Sequence, residues 1–482
     1  MPFMLLSVAS ELYPLVKTGG LADVAGALPA ALAAEDVAVT TLIPGYPAVL
    51  RALEGGAVVH HYDALMGGPS DVLRGRAAGL DLLVLDAPHL FARDGNPYLG
   101  PDGQDWPDNP LRFGAFARVA ADIAAGRATD LIPDAVQAHD WQAALTAVYL
   151  RYDPPGRRPG VVTTIHNLAF QGIFPAYLLG ALGLPAEAFA LDALEYYGSI
   201  SFLKGGLVFS DRITTVSPTY ATEIMEAEAG MGLDGLLVTR AADLSGILNG
   251  LDTGVWDPAT DPTLDTPFDA RTLDRRAANK AALQRAFGLA DEPRAFLLGS
   301  VGRLTEQKGM DVLLALLPEL AEAGGQFALL GTGDRALEAA FSAVAARYPD
   351  RIAARIGYDE ALAHRIQAGV DAFAMPSRFE PCGLTQMAAL RYGAVPIVAR
   401  VGGLADTVID AGPYALAQGV ATGFQFPAGS IPAMRAALTN AKALYDGDPV
   451  TWARIQRNGM ATDVSWASAA RHYAALFRQI AA

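Results

Sequence analysis

The chain has 482 residues, of which 52% are hydrophobic and 18% are charged. This composition can bury a large core and excludes disorder of the whole chain. The 36 Lys and Arg residues against 51 Asp and Glu give a formal net charge of −15, which disfavours broad binding of nucleic acid or of an anionic membrane surface. The single cysteine excludes an intramolecular disulfide, and the seven histidines lack the spacing of metal ligands.

The N-terminus has a short apolar run with no basic segment before it, so we expect a buried strand there rather than a signal peptide. No apolar stretch approaches the roughly 18 residues that a transmembrane helix needs. Together these features predict a cytoplasmic protein whose partners include neither nucleic acid nor a membrane. The sequence leaves the oligomeric state open.

The first half of the chain alternates strands, loops and helices. Strands are predicted at Phe3–Val8, Val37–Ile43, Val161–Ile165 and Arg212–Val216, and a helix at about Leu21–Ala34. Such alternation is typical of a parallel sheet with helices on both faces.

The second half repeats this pattern. Strands are predicted at Ala295–Val301, Phe327–Leu330, Asp371–Met375 and Ala394–Ala399, with helices at Met310–Ala323 and Gln386–Tyr392 and polar loops at Gly302–Gly309 and Gly331–Asp334. Between the halves, Asn249–Asp274 is rich in Pro, Asp and Thr and is the best candidate for a linker. We therefore expect an α/β protein with two doubly wound domains facing a cleft, with ligands at the carboxyl ends of the strands.

The segment Lys17–Val24 places a lysine and the pair Gly19–Gly20 between a predicted strand and a predicted helix. Glycines let a backbone approach an anion closely, and a helix start offers N–H groups to it. The spacing matches neither a Walker loop nor GxGxxG, so an ordinary turn with a surface lysine is the alternative.

The segment Arg303–Gly309 carries two cations five positions apart, Arg303 and Lys308, just after a strand. The planar fork of an arginine and the point charge of a lysine together suit a diphosphate. A solvated charged loop is the alternative.

The segment Ser377–Gln386 links a predicted strand to a predicted helix. Three amide groups at the start of this helix can receive a phosphate, those of Gly383, Leu384 and Thr385. Glu380 can accept hydrogen bonds from sugar hydroxyls. Cys382 is better interpreted as a small buried residue than as a nucleophile, because no histidine lies near it in sequence.

Polar side chains also lie near other predicted strand ends. His139, Asp140 and His166 are suited to binding a hydroxyl, although such residues more often have a structural role. Tyr358 follows an apolar segment and can stack on a base, with a packed or surface tyrosine as the alternative. Asn249 begins a turn at the domain junction.

These segments, taken together, resemble the bacterial glycogen synthase and starch synthase family, which comprises ADP-glucose-dependent retaining glucosyltransferases. The resemblance runs nearly end to end, through Lys17–Val24, Gly95–Tyr98, His139–Trp141, Thr164–Gly172, Thr215–Ala221, Ile247–Asp252, Arg303–Gly309, Gly331–Asp334 and Ser377–Gln386. Two positions depart from the family pattern. Gln142 stands where the family often has His, and Ala388 stands where many transferases of this fold have a second Glu.

The resemblance implies a GT-B fold with two Rossmann-like domains. Residues 1–248 would form the glucan acceptor side, residues 249–460 would bind the nucleotide sugar, and residues 461–482 would form a helix crossing back to the first domain. The implied reaction transfers glucose from ADP-glucose to the non-reducing 4-OH of an α-1,4-glucan with retention, and it requires no cofactor or metal.

The resemblance also implies a function for individual residues. Arg303 and Lys308 would neutralise the diphosphate, with N–H groups donated by Gly383, Leu384 and Thr385. Further contacts to donor or glucan would come from Lys17, Gly19, Gly20, Tyr98, Asp140, His166, Asn249, Tyr358, Glu380 and Cys382. In this set Lys17 reaches the phosphates or the transferring glucose, Glu380 and His166 hold sugar hydroxyls, and Tyr358 stacks near adenine.

Three other functions compete with this interpretation. A transferase of the same fold that uses UDP-glucose and a non-catalytic glucan-binding protein both stay open. A Rossmann dehydrogenase is disfavoured, because no GxGxxG follows the first strand.

Overall fold

The computed structural model describes residues 2–481, which form two compact units. The first unit contains the chain up to Asn249 together with the residues from Trp466 onward, and the second unit is Gly250–Ser465. The sequence places the corresponding boundaries at 248/249 and 460/461. Among the described residues, every helix is too short or too polar to cross a membrane.

The first unit is built on a nine-stranded sheet within residues 2–249. Its strands and those of a small three-stranded sheet are β1 (Phe3–Val8), β2 (Val37–Pro44), β3 (Glu54–Leu65), β4 (Gly68–Ala77), β5 (Leu80–Asp86), β6 (Ala135–His139), β7 (Gly160–Ile165), β8 (Ile173–Pro175), β9 (Glu195–Tyr196), β10 (Ser199–Ser201), β11 (Arg212–Thr215) and β12 (Leu244–Gly246). The large sheet has the order β12-β11-β7-β6-β1-β2-β5-β4-β3, and the small one β8-β10-β9. Strands β12 to β5 in this order are parallel, whereas β4 and β3 extend the edge in antiparallel pairs.

Helices cover both faces of the central strands, which explains why β6 and β7 are buried at every position and why β1 is mainly apolar rather than alternating. These helices are α1 (Gly20–Ala33), α2 (Pro47–Ala52), α3 (Pro88–Phe91), α4 (Asn109–Ala124), α5 (Asp140–Tyr152), α6 (Phe202–Phe209), α7 (Pro218–Glu223) and α8 (Asp234–Thr239), with 3₁₀ turns at Ala176–Leu179 and Ala186–Ala188. The strand order reverses at β1, between β2 and β6. In open α/β sheets this is where ligands bind.

The second unit contains a parallel sheet of order β15-β14-β13-β16-β17-β18. Its strands are β13 (Leu297–Leu304), β14 (Gln326–Gly333), β15 (Ile352–Ile356), β16 (Ala372–Met375), β17 (Val395–Ala399) and β18 (Phe424–Phe426). Its helices are α9 (Arg276–Phe287), α10 (Met310–Glu322), α11 (Arg335–Arg347), α12 (Glu360–Gly369), α13 (Thr385–Arg391), α14 (Gly402–Thr407), α15 (Pro413–Gln418), α16 (Ile431–Gly447) and α17 (Pro449–Ala461), preceded by a 3₁₀ turn at Leu273–Arg275. The order reverses at β13, between β14 and β16, so a second ligand-binding position is expected there.

The final helix, α18 (Trp466–Ile480), packs on the first unit. Tyr473 and Phe477 are fully buried in a cluster with Leu28 of α1 and Val162 of β7. The contact is close, because a Cβ on Gly160 would lie 2.4 Å from the carbonyl oxygen of Ile480.

The predicted linker proves to be mostly a packed part of the second unit. Leu264 and Phe268 are buried, and Asp261 Oδ2 accepts hydrogen bonds from Tyr392 Oη at 2.6 Å and His364 Nδ1 at 2.7 Å. The prediction was wrong because single side chains and local turns hold this segment, and they leave no apolar period in the sequence.

Two predicted loops are partly strand. The ladder between β13 and β14 continues through the pairs Arg303–Thr332 and Leu304–Gly333, so Arg303 lies on a strand and not in the loop. Glycine allows this extension, because a Cβ on Gly331 would lie 2.2 Å from the carbonyl oxygen of Gly302.

Candidate active site

The loops that leave β13 and β16 bring Lys308 and Glu380 together. Lys308 Nζ lies 2.5 Å from Glu380 Oε2, and the hydroxyl of Ser377 donates to the same oxygen at 3.0 Å. Glu380 is 6% exposed, so both donors compensate a largely desolvated carboxylate. Two segments singled out separately in the sequence therefore form one arrangement in the second unit.

Three glycines pack tightly against the backbone around Glu380. A Cβ on Gly402 would lie 2.0 Å from the carbonyl oxygen of Glu380, and one on Gly403 would lie 2.1 Å from that of Cys382. Gly309, with φ of 64°, approaches the Pro376 carbonyl in the same way, at 1.9 Å. These approaches leave no room for a side chain, and they hold the Glu380 segment in place.

The amides after Cys382 are placed to bind an anion. Gly383 has φ of 74°, Leu384 is the N-cap of α13, and Thr385 begins the helix. Within residues 2–481, the N–H groups of these three residues have no acceptor. Cys382 itself is buried, as expected for a residue that packs at a helix start.

Arg303 and Tyr358 are exposed at the carboxyl ends of β13 and β15. No described residue forms an ion pair with the Arg303 guanidinium, which leaves its five donors available to a ligand. The phenol of Tyr358 donates to Glu360 Oε2 at 3.1 Å. Tyr358 as a residue is 75% exposed.

In the first unit, the Lys17 loop rests on Glu11, a residue that the sequence analysis missed. Lys17 Nζ lies 2.7 Å from Asp23 Oδ1. The amides of Thr18 and Gly19 both donate to Glu11 Oε2, so the Gly19 N–H assigned to a ligand is bonded to a carboxylate of the chain itself. The only signal in the sequence is an acidic residue three positions beyond the first strand.

Tyr98 contacts the same carboxylate. Its phenol donates to Glu11 Oε1 at 2.6 Å and lies 2.7 Å from Ser10 Oγ. Burial raises the pKa of Tyr98 well above its ordinary value, and the neighbouring Glu11 charge adds to this shift. The phenol therefore stays protonated and acts as a donor.

His139 and His166 lie at the ends of the adjacent strands β6 and β7. His139 Nδ1 is 2.9 Å from His166 Nε2, and His139 Nε2 is 3.2 Å from Ser7 Oγ. Burial lowers the pKa of His139 to about 3 and that of His166 well below its ordinary value. Both rings are neutral near pH 7, so they can bind a hydroxyl but carry no charge.

Asp140 contacts the segment that carries one of these histidines. Its Oδ1 accepts the backbone N–H of His166 at 2.7 Å, and burial raises its pKa to about 7 in spite of the hydrogen bonds from His166 and Asn167. In the structure Asp140 is therefore occupied with the backbone that carries His166.

Three further predicted positions are buried. Asn249 Oδ1 and Gln142 Oε1 have no hydrogen-bond partner among residues 2–481. Ala388 is packed inside α13, so no carboxylate stands at the position of a second Glu.

The described chain contains no group of three His, Cys, Asp or Glu side chains able to hold a metal ion.

Family models match both halves of the chain. Residues 4–239 match the starch synthase catalytic domain, and residues 295–441 match group 1 of the glycosyl transferases. A glycogen synthase of Rhodopseudomonas palustris (strain ATCC BAA-98 / CGA009) is 59% identical over 99% of this chain and 98% of its own. One of Methylocella silvestris is 60% identical over 98% of each chain.

Solved structures agree with these matches. The catalytic domain of starch synthase IV from Arabidopsis thaliana, bound to ADP and acarbose, has a TM-score of 0.89 and 33% identity over all of both chains. Sucrose-phosphate synthase from Thermosynechococcus elongatus, with a TM-score of 0.61 and 17% identity, supports the fold alone. The predicted fold class and family resemblance are thus confirmed. The chain belongs to the glycogen synthase and starch synthase family of GT-B glycosyltransferases.

Proposed function

We propose that the protein is a glycogen synthase, which transfers glucose from ADP-glucose to the non-reducing 4-OH of an α-1,4-glucan with retention and releases ADP. The observation that carries this proposal is the Lys308–Glu380 pair beside three amides without acceptors, at the position where the second sheet reverses its strand order. The similarity to a starch synthase bound to ADP and acarbose supports the choice of donor and acceptor.

In this reaction the bond between glucose C1 and the diphosphate oxygen breaks, and a bond from C1 to the acceptor oxygen forms. The acceptor proton passes to the leaving phosphate oxygen. Negative charge grows on the diphosphate, where Arg303, Lys308 and the amides of Gly383 to Thr385 would compensate it. Lys308 shares its charge between the diphosphate and Glu380, so Arg303 would supply the larger part of the net positive charge.

The sugar contacts are proposed from the geometry of each unit. The Glu380 carboxylate is held by Lys308 and Ser377. It would therefore accept hydrogen bonds from sugar hydroxyls without changing its own position. The neutral His166 would hold a further hydroxyl. Lys17 would contact the phosphates or the transferring glucose after leaving Asp23, and this partly exposed pair is worth about 1 kcal/mol or less.

The remaining contacts follow the family resemblance. Tyr98, Asp140 and Asn249 would line the sugar site, and Tyr358 would stack near adenine. We further propose that the enzyme acts in the cytoplasm and needs no metal, because Arg303 and Lys308 provide the positive charge that a metal ion would otherwise supply.

The test is an assay of the purified chain with ADP-glucose and glycogen in the presence of EDTA. We expect ADP release together with growth of the glucan, and slower transfer from UDP-glucose. Faster transfer from UDP-glucose would favour the alternative transferase. Binding of glucan without any transfer would favour a non-catalytic protein, and loss of activity in EDTA alone would contradict the metal-free mechanism.

The variants R303A and K17A are expected to lower kcat by a hundredfold or more, as is usual when a group that stabilises developing charge is removed. Both side chains are at least partly exposed, so the free energy of unfolding should change by about 0.5 kcal/mol or less. Steady-state kinetics and urea unfolding measure the two effects.

The matched control is R347A, which removes an exposed arginine at the end of α11, a helix end that lies away from the carboxyl ends of the strands. It should keep wild-type kcat. Near-normal turnover in R303A or K17A would contradict the function assigned to that residue.

A further inference from the structure

Glu11 is a buried carboxylate with four hydrogen-bond donors, although neither its position nor its surroundings suggested a function in the sequence. It lies three residues beyond β1 and is 3% exposed. Its Oε1 accepts the hydroxyls of Thr18, at 2.6 Å, and Tyr98, also at 2.6 Å. Its Oε2 accepts the amides of Thr18 and Gly19, the latter at 3.2 Å.

These bonds occupy the place that an anionic ligand would take at the start of α1. Gly19 is the N-cap of this helix and offers no side chain to cap it. A helix start attracts negative charge, and here Glu11 supplies that charge from within the chain. The amides of Thr18 and Gly19 are therefore committed, and Lys17 is left as the charged group through which the loop can act on a ligand.

The same carboxylate connects the loop to a distant part of the sequence. Tyr98 is 87 residues away from Glu11 along the chain. Its own turn is fixed by Asn96, whose Oδ1 accepts the amides of Tyr98 and Leu99 at 2.8 and 3.1 Å. Glu11 therefore lies where two conformationally restrained segments meet.

We propose that Glu11 is a positioning residue, which holds the Lys17 loop and the Tyr98 phenol in a single arrangement and so places the Lys17 ammonium for glucosyl transfer. This rests on the proposed function, in which Lys17 acts on the donor. The positioning requires hydrogen bonds to these four groups rather than a negative charge, since two of them are amides and two are hydroxyls.

Two substitutions separate acceptor geometry from charge. E11A leaves four donors without their acceptor, so the loop should loosen. E11Q can keep the amides of Thr18 and Gly19 on its carbonyl oxygen, while its NH₂ donates to the hydroxyls of Thr18 and Tyr98, which also accept hydrogen bonds. We expect kcat to fall roughly a hundredfold in E11A, in line with a displacement of about 1 Å, and to fall less than tenfold in E11Q.

A double-mutant cycle tests whether Glu11 acts through Lys17. If it does, E11A should lower kcat in the wild-type background but change it less than threefold in the K17A background. Equal losses in both backgrounds would show an independent or general effect and would overturn the proposal.

Amide hydrogen exchange of the peptide that contains Thr18 and Gly19 gives a readout without activity. We expect protection in the wild type and in E11Q, and loss of protection in E11A. Unchanged protection in E11A would contradict the proposal that Glu11 holds the amides of the Lys17 loop. Lost protection with a normal kcat would contradict the proposal that this hold positions Lys17 for transfer. If E11A does not fold, T18V and Y98F each remove one hydroxyl donor and serve in the same cycle.

The matched control is D134A. The Asp134 carboxylate accepts the amide of Met4 at 2.9 Å, at the opposite end of β1, so its loss should reduce stability but leave kcat unchanged. A fall in kcat in D134A equal to that in E11A would overturn the proposal.

A wild-type chain that is inactive with ADP-glucose would refute the proposed function. It would also refute the positioning role of Glu11, whatever the exchange experiment shows.

Discussion

Asp140 meets two requirements at once, one on its backbone conformation and one on its side chain. It has φ of 55°, in the left-handed region where Asp and Asn are tolerated better than other residues that carry a Cβ. The turn directs its carboxylate to the N–H of His166. This arrangement buries the carboxyl group, and burial raises the pKa of Asp140 to about 7.

The variant D140N should become more stable than the wild type as the pH rises. The unfolded Asp140 loses its proton near pH 3.8 and the folded one near pH 7, so between these values the folded state binds more protons and wild-type stability falls with rising pH. Asn is always neutral, accepts the same N–H bond and tolerates the same φ. The difference should approach roughly 4 kcal/mol above pH 7, at 1.36 kcal/mol per pKa unit.

Urea unfolding of both proteins at pH 5 and pH 8 measures this difference. Exposed Asp291 provides a control, because it contacts no titrating histidine among the described residues and D291N should therefore shift stability equally at both pH values. A D140N advantage that does not grow with pH would mean that the carboxyl is not desolvated as the structure indicates.

At the level of elements, the position of Glu380 depends on the helix that packs behind it. α14 begins at Gly402, which has φ of 40° and approaches the Glu380 carbonyl too closely for any side chain. The carboxylate is thus fixed from two sides, by backbone packing and by Lys308. Since the glycine lies 22 positions after Glu380 in the sequence, only the fold reveals this dependence.

The variant G402A is expected to lower kcat roughly a hundredfold, because a Cβ placed 2.0 Å from the carbonyl oxygen must displace the Glu380 segment. The control is G288A at the end of α9, where φ is also positive but no atom lies within 4 Å of a Cβ. It should lose about 1–2 kcal/mol of stability through backbone strain alone and keep its kcat. Equal activity in G402A and the wild type would show that the segment yields without moving the carboxylate.

The elements also show what the sequence can reveal. The strand predicted at Phe3–Val8 is β1 to the residue, because a strand covered on both faces leaves an unbroken apolar run. The ribbon of β3 and β4 was not predicted, since it is partly exposed and its register is interrupted by shifts. Lys308 and Glu380 were found because each lies in a recognisable motif, whereas Glu11 is recognisable only by the four donors that the fold brings to it.

At the scale of the whole molecule, the chain contributes to the first unit twice. After the second unit ends at Ser465, α18 returns to cover α1 and β7. Its apolar face contains Trp466, Tyr473 and Phe477, while Arg471 and Gln479 are exposed. The first unit therefore lacks part of its core until α18, which follows the whole second unit in the sequence, has been synthesised.

The variant F477A should destabilise the first unit by about 3–5 kcal/mol, the usual loss for a fully buried Phe. Hydrogen exchange can localise the effect, because amides of α1 and β7 should exchange faster while those of β13 and β16 keep wild-type protection. Q479A, which changes an exposed residue of the same helix, should leave both sets unchanged. Faster exchange in β13 and β16 of F477A would show that the two units unfold together, and it would contradict the expectation that the loss of stability is confined to the first unit.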